Sequence, residues 1–169
     1  MEFIFNDGGR EDAGFKGETG DCGLRAVAIA LELPYTQARE ELMQATADFR
    51  EAHPRSKKAK RMKNNSVLNG VWREVLQTYL KSKGWVWTPT MQIGSGTTVH
   101  MDADELPSGR IIVRPAKHFA AVIDGVLNDT WDCSEPRTYI ISRPGCEDDI
   151  QTNRRAVYGY FQRAIVNHR

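Results

Sequence analysis

The segment DCGLRAVAIALEL, residues 21–33, is apolar at almost every position except Arg25 and Glu32. A surface helix would carry a polar side, so this pattern predicts a helix that is buried nearly all round. Asp21 is the expected N-cap, because its side chain can accept a hydrogen bond from a free N–H of the first turn. Pro34 should prevent the helix from continuing. We therefore expect a central helix against which the other elements pack.

The elements before and after this helix differ in character. Residues 1–20 begin with a short alternating strand and continue as a glycine-rich loop. A second helix is expected from Thr36 to about residue 52, and a third one ends at Gly84. The strand-like segments that follow are RIIVRP, KHFAAVID, VLNDTWD, RTYIIS and AVYGYF. Because helices come first and strands second, we expect an α+β fold with N-terminal helices on a C-terminal antiparallel sheet.

Length and composition indicate one domain over residues 1–169, since 40% of the residues are hydrophobic. The net charge of +1 gives no general attraction to nucleic acid or to a membrane. A basic loop at about residues 53–66 and a surface insertion at about residues 143–154 are expected outside the core. The N-terminus lacks a signal-peptide pattern and no apolar run reaches membrane length, so we expect a cytoplasmic protein without a membrane partner.

The three cysteines are Cys22, Cys133 and Cys146, too few and too scattered for a disulfide framework. No C-x-x-C pair is present, and neither a metal nor an organic cofactor is expected. Cys22 falls in the first turn of the buried helix, where free N–H groups and the helix dipole lower a thiol pKa. Its backbone N–H would face the oxygen of a substrate carbonyl. A buried structural thiol is the alternative for Cys22.

His118 precedes the apolar run FAAVI, which ends in the hairpin signal Asp-Gly. With a two-residue turn, the period of two places His118, Asp129 and Trp131 on one face of the hairpin and Asn128 on the other. Asp129 is therefore the predicted residue that orients the imidazole, although a slip of one residue would select Asn128 instead. Trp131 would shield the base from water or serve as an ordinary strand aromatic.

A Cys at a helix start, a His at a strand start and an Asp on the next strand form the order that thiol catalysis needs. With GDCG before a buried helix and HFAAVIDG opening a hairpin, the sequence resembles papain-like cysteine peptidases, especially the bacteriocin-processing type. The resemblance implies a papain-like fold with Cys22 as nucleophile, His118 as base and Asp129 as orienting residue. It also implies a peptidase or isopeptidase that acts on a protein or peptide.

A second resemblance covers most of the chain, through GDCGLRAVAIALELPY, GWVWTPTMQIGSG, DELPSGRIIVR, HFAAVIDGVLNDTWD and VYGYF. These segments are similar to a family of small uncharacterised proteins from bacteriophages and bacteria. This resemblance brings no established activity with it; if the chain is phage-encoded, the expected compartment is the host cytoplasm, and a host protein is one candidate partner.

The sequence departs from the papain-like pattern upstream of Cys22. Such enzymes place a glutamine about six residues before the nucleophile to complete the oxyanion hole, and the residue here is Lys16. Lys16 or Thr19 would substitute, or backbone donors would suffice, with Asp21 a further cleft candidate. The rival function is a binding protein on an inactive papain-like scaffold. A third one is a nucleic-acid-associated factor that uses the basic loop, but the loop lacks aromatic residues for base stacking, so nucleic acid is an unlikely partner.

Overall fold

The computed structural model describes residues 1–17, 19–62, 67–92, 94, 96–142 and 149–164. Within these residues four α-helices and a six-stranded sheet form an α+β fold, as the sequence predicts. The helices are α1 (Cys22–Leu31), α2 (Tyr35–Ala52), α3 (Lys57–Arg61) and α4 (Arg73–Ser82), with a 3₁₀ turn at Val67–Asn69. None of the described helices has the length and apolar character that crossing a membrane requires.

Ten strands accompany the helices in the part of the chain that the structure describes. They are β1 (Glu2–Phe5), β2 (Trp85–Pro89), β3 (Met91–Gln92), β4 (Gly96–Thr97), β5 (Arg110–Val113), β6 (Ala120–Ile123), β7 (Val126–Asp129), β8 (Arg137–Ile141), β9 (Asp149–Asn153) and β10 (Gly159–Arg163). The main sheet has the order β1-β7-β6-β5-β10-β2, while β3-β4 and β8-β9 form separate pairs.

The main sheet is mixed, which corrects the prediction of a purely antiparallel, C-terminal sheet. The N-terminal strand β1 pairs in parallel with β7 at one edge, and all the other neighbours are antiparallel. Strand β2, which directly follows α4, forms the opposite edge. Alternation of side chains identifies a strand but does not say which partner it will pair with, so the edge positions could not be read from the sequence.

Helix α1 is buried as expected, with every residue from Gly23 to Ala30 inaccessible. It packs on β5, β6 and β7, so its N-terminus lies where these strands meet the loops of the site. Asp21 occupies the N-cap position, but its carboxylate makes no capping hydrogen bond, contrary to the prediction. Helix α2 begins at Tyr35, and Pro34 rather than Thr36 occupies its N-cap position.

The sheet has an apolar core on each face. Ile112 and Ala121 face the helices together with Leu24 and Val27 of α1. The neighbouring strand residues belong to the second core, which comprises Met101, Leu106, Ile111, Val113, Ala120, Val122, Leu127, Cys133 and Val157. Both faces are therefore covered, and the ends of the strands are left to form a site.

Two predicted surface segments are more ordered than expected. The basic loop contains the short helix α3, in which Ser56 accepts a hydrogen bond from the N–H of Ala59 at 3.4 Å. In the predicted insertion, residues 149–153 form β9, which pairs with β8 in an exposed hairpin. Residues 63–66 and 143–148, the latter including Cys146, lie outside the described residues.

Candidate active site

Three elements bring the predicted reactive residues together. Cys22 is the first residue of α1, His118 lies two residues before β6, and Asp129 is the last residue of β7. The register of β6 and β7 is the predicted one, with Ile123 opposite Val126. Both turn residues between them have positive φ angles, as a tight two-residue hairpin requires.

The imidazole of His118 lies between the thiol and the carboxylate. Its Nε2 is 2.5 Å from Oδ2 of Asp129, and a second hydrogen bond joins the ring to Cys22. Since Nε2 is occupied by Asp129, Nδ1 is the nitrogen left for a proton shared with the sulfur. Asn128 instead accepts a hydrogen bond from the side chain of Asn6 and donates one to the carbonyl of Val126, so the hairpin selects Asp129.

The charges of the site favour a thiolate beside an imidazolium. Burial by itself raises the pKa of Cys22, but the hydrogen bond and positive charge of His118, the N–H of Phe119 and the charge of Arg25 together hold that pKa below its ordinary value. Burial lowers the pKa of His118, whereas hydrogen bonds with Asp129, Cys133 and Cys22 raise it to about 11. Both shifts favour an ion pair of thiolate and imidazolium over a neutral thiol and a neutral imidazole.

Asp129 is fixed by groups on three sides. Its side chain is 3% exposed, and Oδ1 accepts a hydrogen bond of 2.7 Å from the N–H of Thr130. Nη2 of Arg25 lies 3.6 Å from the same oxygen. Because the carboxylate cannot rotate without losing these contacts, it fixes the plane and the tautomer of the His118 ring.

Arg25 extends the site into a buried network of alternating charges. Its guanidinium forms a second ion pair, with the fully buried carboxylate of Asp21. That carboxylate also accepts a hydrogen bond of 2.5 Å from the hydroxyl of Tyr35 and lies 3.1 Å from Nε of Arg10. Burial and Asp21 together raise the pKa of Tyr35, so the phenol stays protonated and donates. The charges alternate from Arg10 through Asp21, Arg25, Asp129 and His118 to Cys22.

Sequence reasoning did not assign this network. The available signal was Arg25 itself, the one charge within an otherwise apolar helix and four residues after Asp21. An i,i+4 pair on a buried helix face implies that both charges are compensated inside the protein. The contact of Arg25 with a second carboxylate, that of Asp129, depends on how α1 packs on the sheet.

Cys133 is a further neighbour of the imidazole. It is 1% exposed, shares a hydrogen bond with His118, and has a pKa that burial raises. Its sulfur and the ligand atoms of His118 and Asp129 lie within 4.8 Å of one another, close enough for one metal ion. The guanidinium of Arg25 beside Asp129 and the protonated imidazole oppose a cation there. These three side chains are therefore better suited to sharing protons with one another than to binding a metal ion.

Cys22 and His118 line a cleft of about 1420 Å³. The helical side of the cleft is formed by the start of α1 and residues 69–73, and the sheet side by residues 114, 117–119, 130 and 131. Trp131 lies where the hairpin register predicts, with its ring centroid 5.3 Å from that of His118, and it is 45% exposed. One side of the imidazole is therefore shielded, while the sulfur faces the cleft.

The predicted oxyanion candidates have different positions. Lys16 and Thr19 both line the cleft, but the hydroxyl of Thr19 donates to the carbonyl of Leu68 and its proton is already used. Asp21 is not a cleft residue, because its buried carboxylate is fully engaged with cations and Tyr35. Asn69, which the sequence did not single out, lines the cleft where Gly20 approaches its backbone closely.

None of the family models, curated proteins or solved structures compared with this chain matches it.

Proposed function

We propose that the protein is a papain-like cysteine hydrolase that cleaves an amide bond, of the peptide or isopeptide type. The observation that carries this proposal is the hydrogen-bonded array of Cys22, His118 and Asp129 at an open cleft. A structural thiol needs neither a lowered pKa nor a charged imidazole partner. A protein that only binds a host partner has no need of them either, which favours catalysis over the scaffold role.

The first half of the reaction forms an acyl-enzyme. The thiolate of Cys22 attacks the carbonyl carbon, a C–S bond forms, and the π electrons move to the oxygen. The imidazolium of His118 then gives its proton to the leaving nitrogen as the C–N bond breaks. A thioester on Cys22, a free amine and a neutral imidazole result.

The second half releases the acyl group. Neutral His118 accepts a proton from water, whose oxygen attacks the thioester carbonyl, and the C–S bond breaks to regenerate the thiolate. The product acid loses its proton to solvent, and the imidazolium is restored. Asp129 keeps its negative charge throughout and stabilises the charged ring. An amine in place of water would give acyl transfer by the same steps.

The negative oxygen of each intermediate requires donors at the start of α1. The N–H of Cys22 has no partner within the described residues, as is usual in the first turn of a helix. Lys16 and Asn69 are two of the cleft residues whose side chains carry N–H groups that can supply a second donor. This arrangement replaces the glutamine of papain-like enzymes by a donor from the cleft wall.

The test is the rate of alkylation by iodoacetamide over a pH series, with the modified residue identified by mass spectrometry. Cys22 should react below pH 7 much faster than a thiol in an unfolded peptide, because a lowered pKa leaves a larger fraction of it as the reactive thiolate. Cys133 should remain unmodified, because it is buried and its pKa is raised. Labelling of Cys22 at the rate of the unfolded peptide would refute the proposal.

The rival scaffold function is tested with Cys22→Ala. Removing the sulfur abolishes acyl-enzyme formation, whereas the surface of the cleft is nearly unchanged. Loss of the biological effect in Cys22→Ala with retained folding supports catalysis, and full retention would support binding alone.

A further inference from the structure

Basic side chains outnumber acidic ones in the cleft. The basic residues that line it are Arg10, Lys16, Arg25, Arg73, Arg114 and Lys117, and the acidic ones are Asp7 and Glu11. The whole chain has 23 basic and 22 acidic residues, so a general excess of positive charge does not explain this distribution. The cleft concentrates positive charge locally.

Some of these charges are neutralised within the protein. Arg10 and Arg25 pair with the buried carboxylates of the charge network. Within the described residues Lys16, Arg73, Arg114 and Lys117 form no ion pair with a carboxylate. Both acidic cleft residues belong to the loop between β1 and α1, where the carboxylate of Asp7 accepts backbone N–H groups of that same loop.

Three of these four unpaired cations, Arg73, Arg114 and Lys117, lie on the two walls of the cleft. Arg73 begins α4 on the helical side. Arg114 lies on the sheet side, with its guanidinium 5.8 Å from the ring centroid of Tyr158. Lys117 directly precedes His118 and has a φ of 56°, a left-handed conformation that is costly for a residue with a side chain. A glycine would relieve this strain but would remove the charge beside the base.

We infer that the substrate carries carboxylate groups close to the bond that is cleaved, as in an acidic peptide segment. This inference rests on the proposed function and names its substrate class. Unpaired cations in a cleft with apolar walls attract anions strongly, and an Arg guanidinium matches a carboxylate in geometry. A peptide is favoured over a nucleic-acid strand because the thiolate needs an acyl carbonyl to attack.

The probes for this inference are iodoacetate and iodoacetamide, which are similar in size and differ in charge. Each forms an S–C bond with Cys22 and releases iodide, so the ratio of the two rates measures the attraction of the cleft for a carboxylate. At pH 7 and low salt, the ratio should exceed that of a thiol in an unfolded peptide and should decrease as salt is added. The variant Arg73→Gln/Arg114→Gln/Lys117→Asn should lower it about tenfold, or about two- to threefold per charge.

The control is Lys81→Gln, which removes an exposed charge from α4 away from the cleft and should leave the ratio unchanged. If the triple variant does not fold, the rate ratio is measured on the three single variants instead. Asn is used at position 117 because it tolerates the left-handed conformation. A rapid iodoacetamide reaction combined with a ratio that is the same in wild type and variants overturns this inference alone. A slow iodoacetamide reaction in the wild type would instead overturn the proposed function.

Discussion

His118 is the residue on which the chemistry of the site converges, because it contacts a thiol on one side and a carboxylate on the other. The ring is held by Asp129 through Nε2, and its pKa is raised to about 11 despite burial. The same interaction keeps the proton on the imidazole and so leaves the negative charge on Cys22. Asp129 therefore acts on the acidity of the thiol through the imidazole of His118.

Asp129→Asn is expected to weaken the ion pair. Without the carboxylate, the pKa of His118 falls and the pKa of Cys22 rises, so the pH profile of iodoacetamide alkylation moves to higher pH. A shift of one unit would slow the reaction at pH 6.5 about tenfold. The matched control is Asp124→Asn at the turn of the same hairpin, and its profile should coincide with that of wild type. If Asp129→Asn gave that same profile, Asp129 would not have the proposed role.

Arg25 joins helix α1 to strand β7 and connects the buried charge network to the candidate active site. The residue pairs with Asp21 on its own helix and with Asp129 on the strand, so it fixes the helix at one position along the sheet. Without Arg25, the buried carboxylate of Asp129 has no guanidinium partner among the described residues and Asp21 keeps only Arg10, which destabilises the fold. Arg25 is therefore a positioning residue, and its charge also lowers the pKa of Cys22.

Arg25→Gln should move the alkylation profile of Cys22 to higher pH and lower the free energy of unfolding by about 3–5 kcal/mol. Arg25→Lys, which keeps the charge but not the planar fork, should restore much of the pH profile and less of the stability. The two readouts are the alkylation rate over pH and urea unfolding. Identical pH profiles in wild type and both variants would contradict an electrostatic role.

At the scale of the whole molecule, the ion pair affects how stability depends on pH. The raised pKa of His118 contributes stability that is complete below pH 6.5 and is lost as the pH rises towards about 11. The lowered pKa of Cys22 contributes stability that is complete above its unfolded value near 9.0 and is lost as the pH falls through the folded value. Between these limits the two contributions have opposite slopes and offset each other.

The variant Cys22→Ala should expose the contribution of His118. Its free energy of unfolding should decrease as the pH rises above 6.5, with a slope of at most about 1.4 kcal/mol per pH unit, and more steeply than that of wild type. Adding His118→Asn should remove this slope. Urea unfolding at pH 6, 7, 8 and 9 provides the measurement. If the free energy of unfolding of the double variant still decreased with pH, groups other than His118 would be responsible for the pH dependence.

The sequence by itself determined that Cys22 lies at the start of α1 and that His118 and Asp129 share one face of a hairpin, whereas their meeting with Cys22 was implied only by the resemblance. Cys22 was placed by the apolar pattern of α1, and His118 and Asp129 by a turn signal and a period of two, which are local properties. Only the tertiary structure decided the partners of Arg25, the approach of Cys133 to the imidazole and the parallel pairing of β1. It also decided that Arg73 faces the same cleft as Arg114 and Lys117. These contacts join segments far apart in the chain, so they depend on how helices and strands dock, which no local pattern encodes.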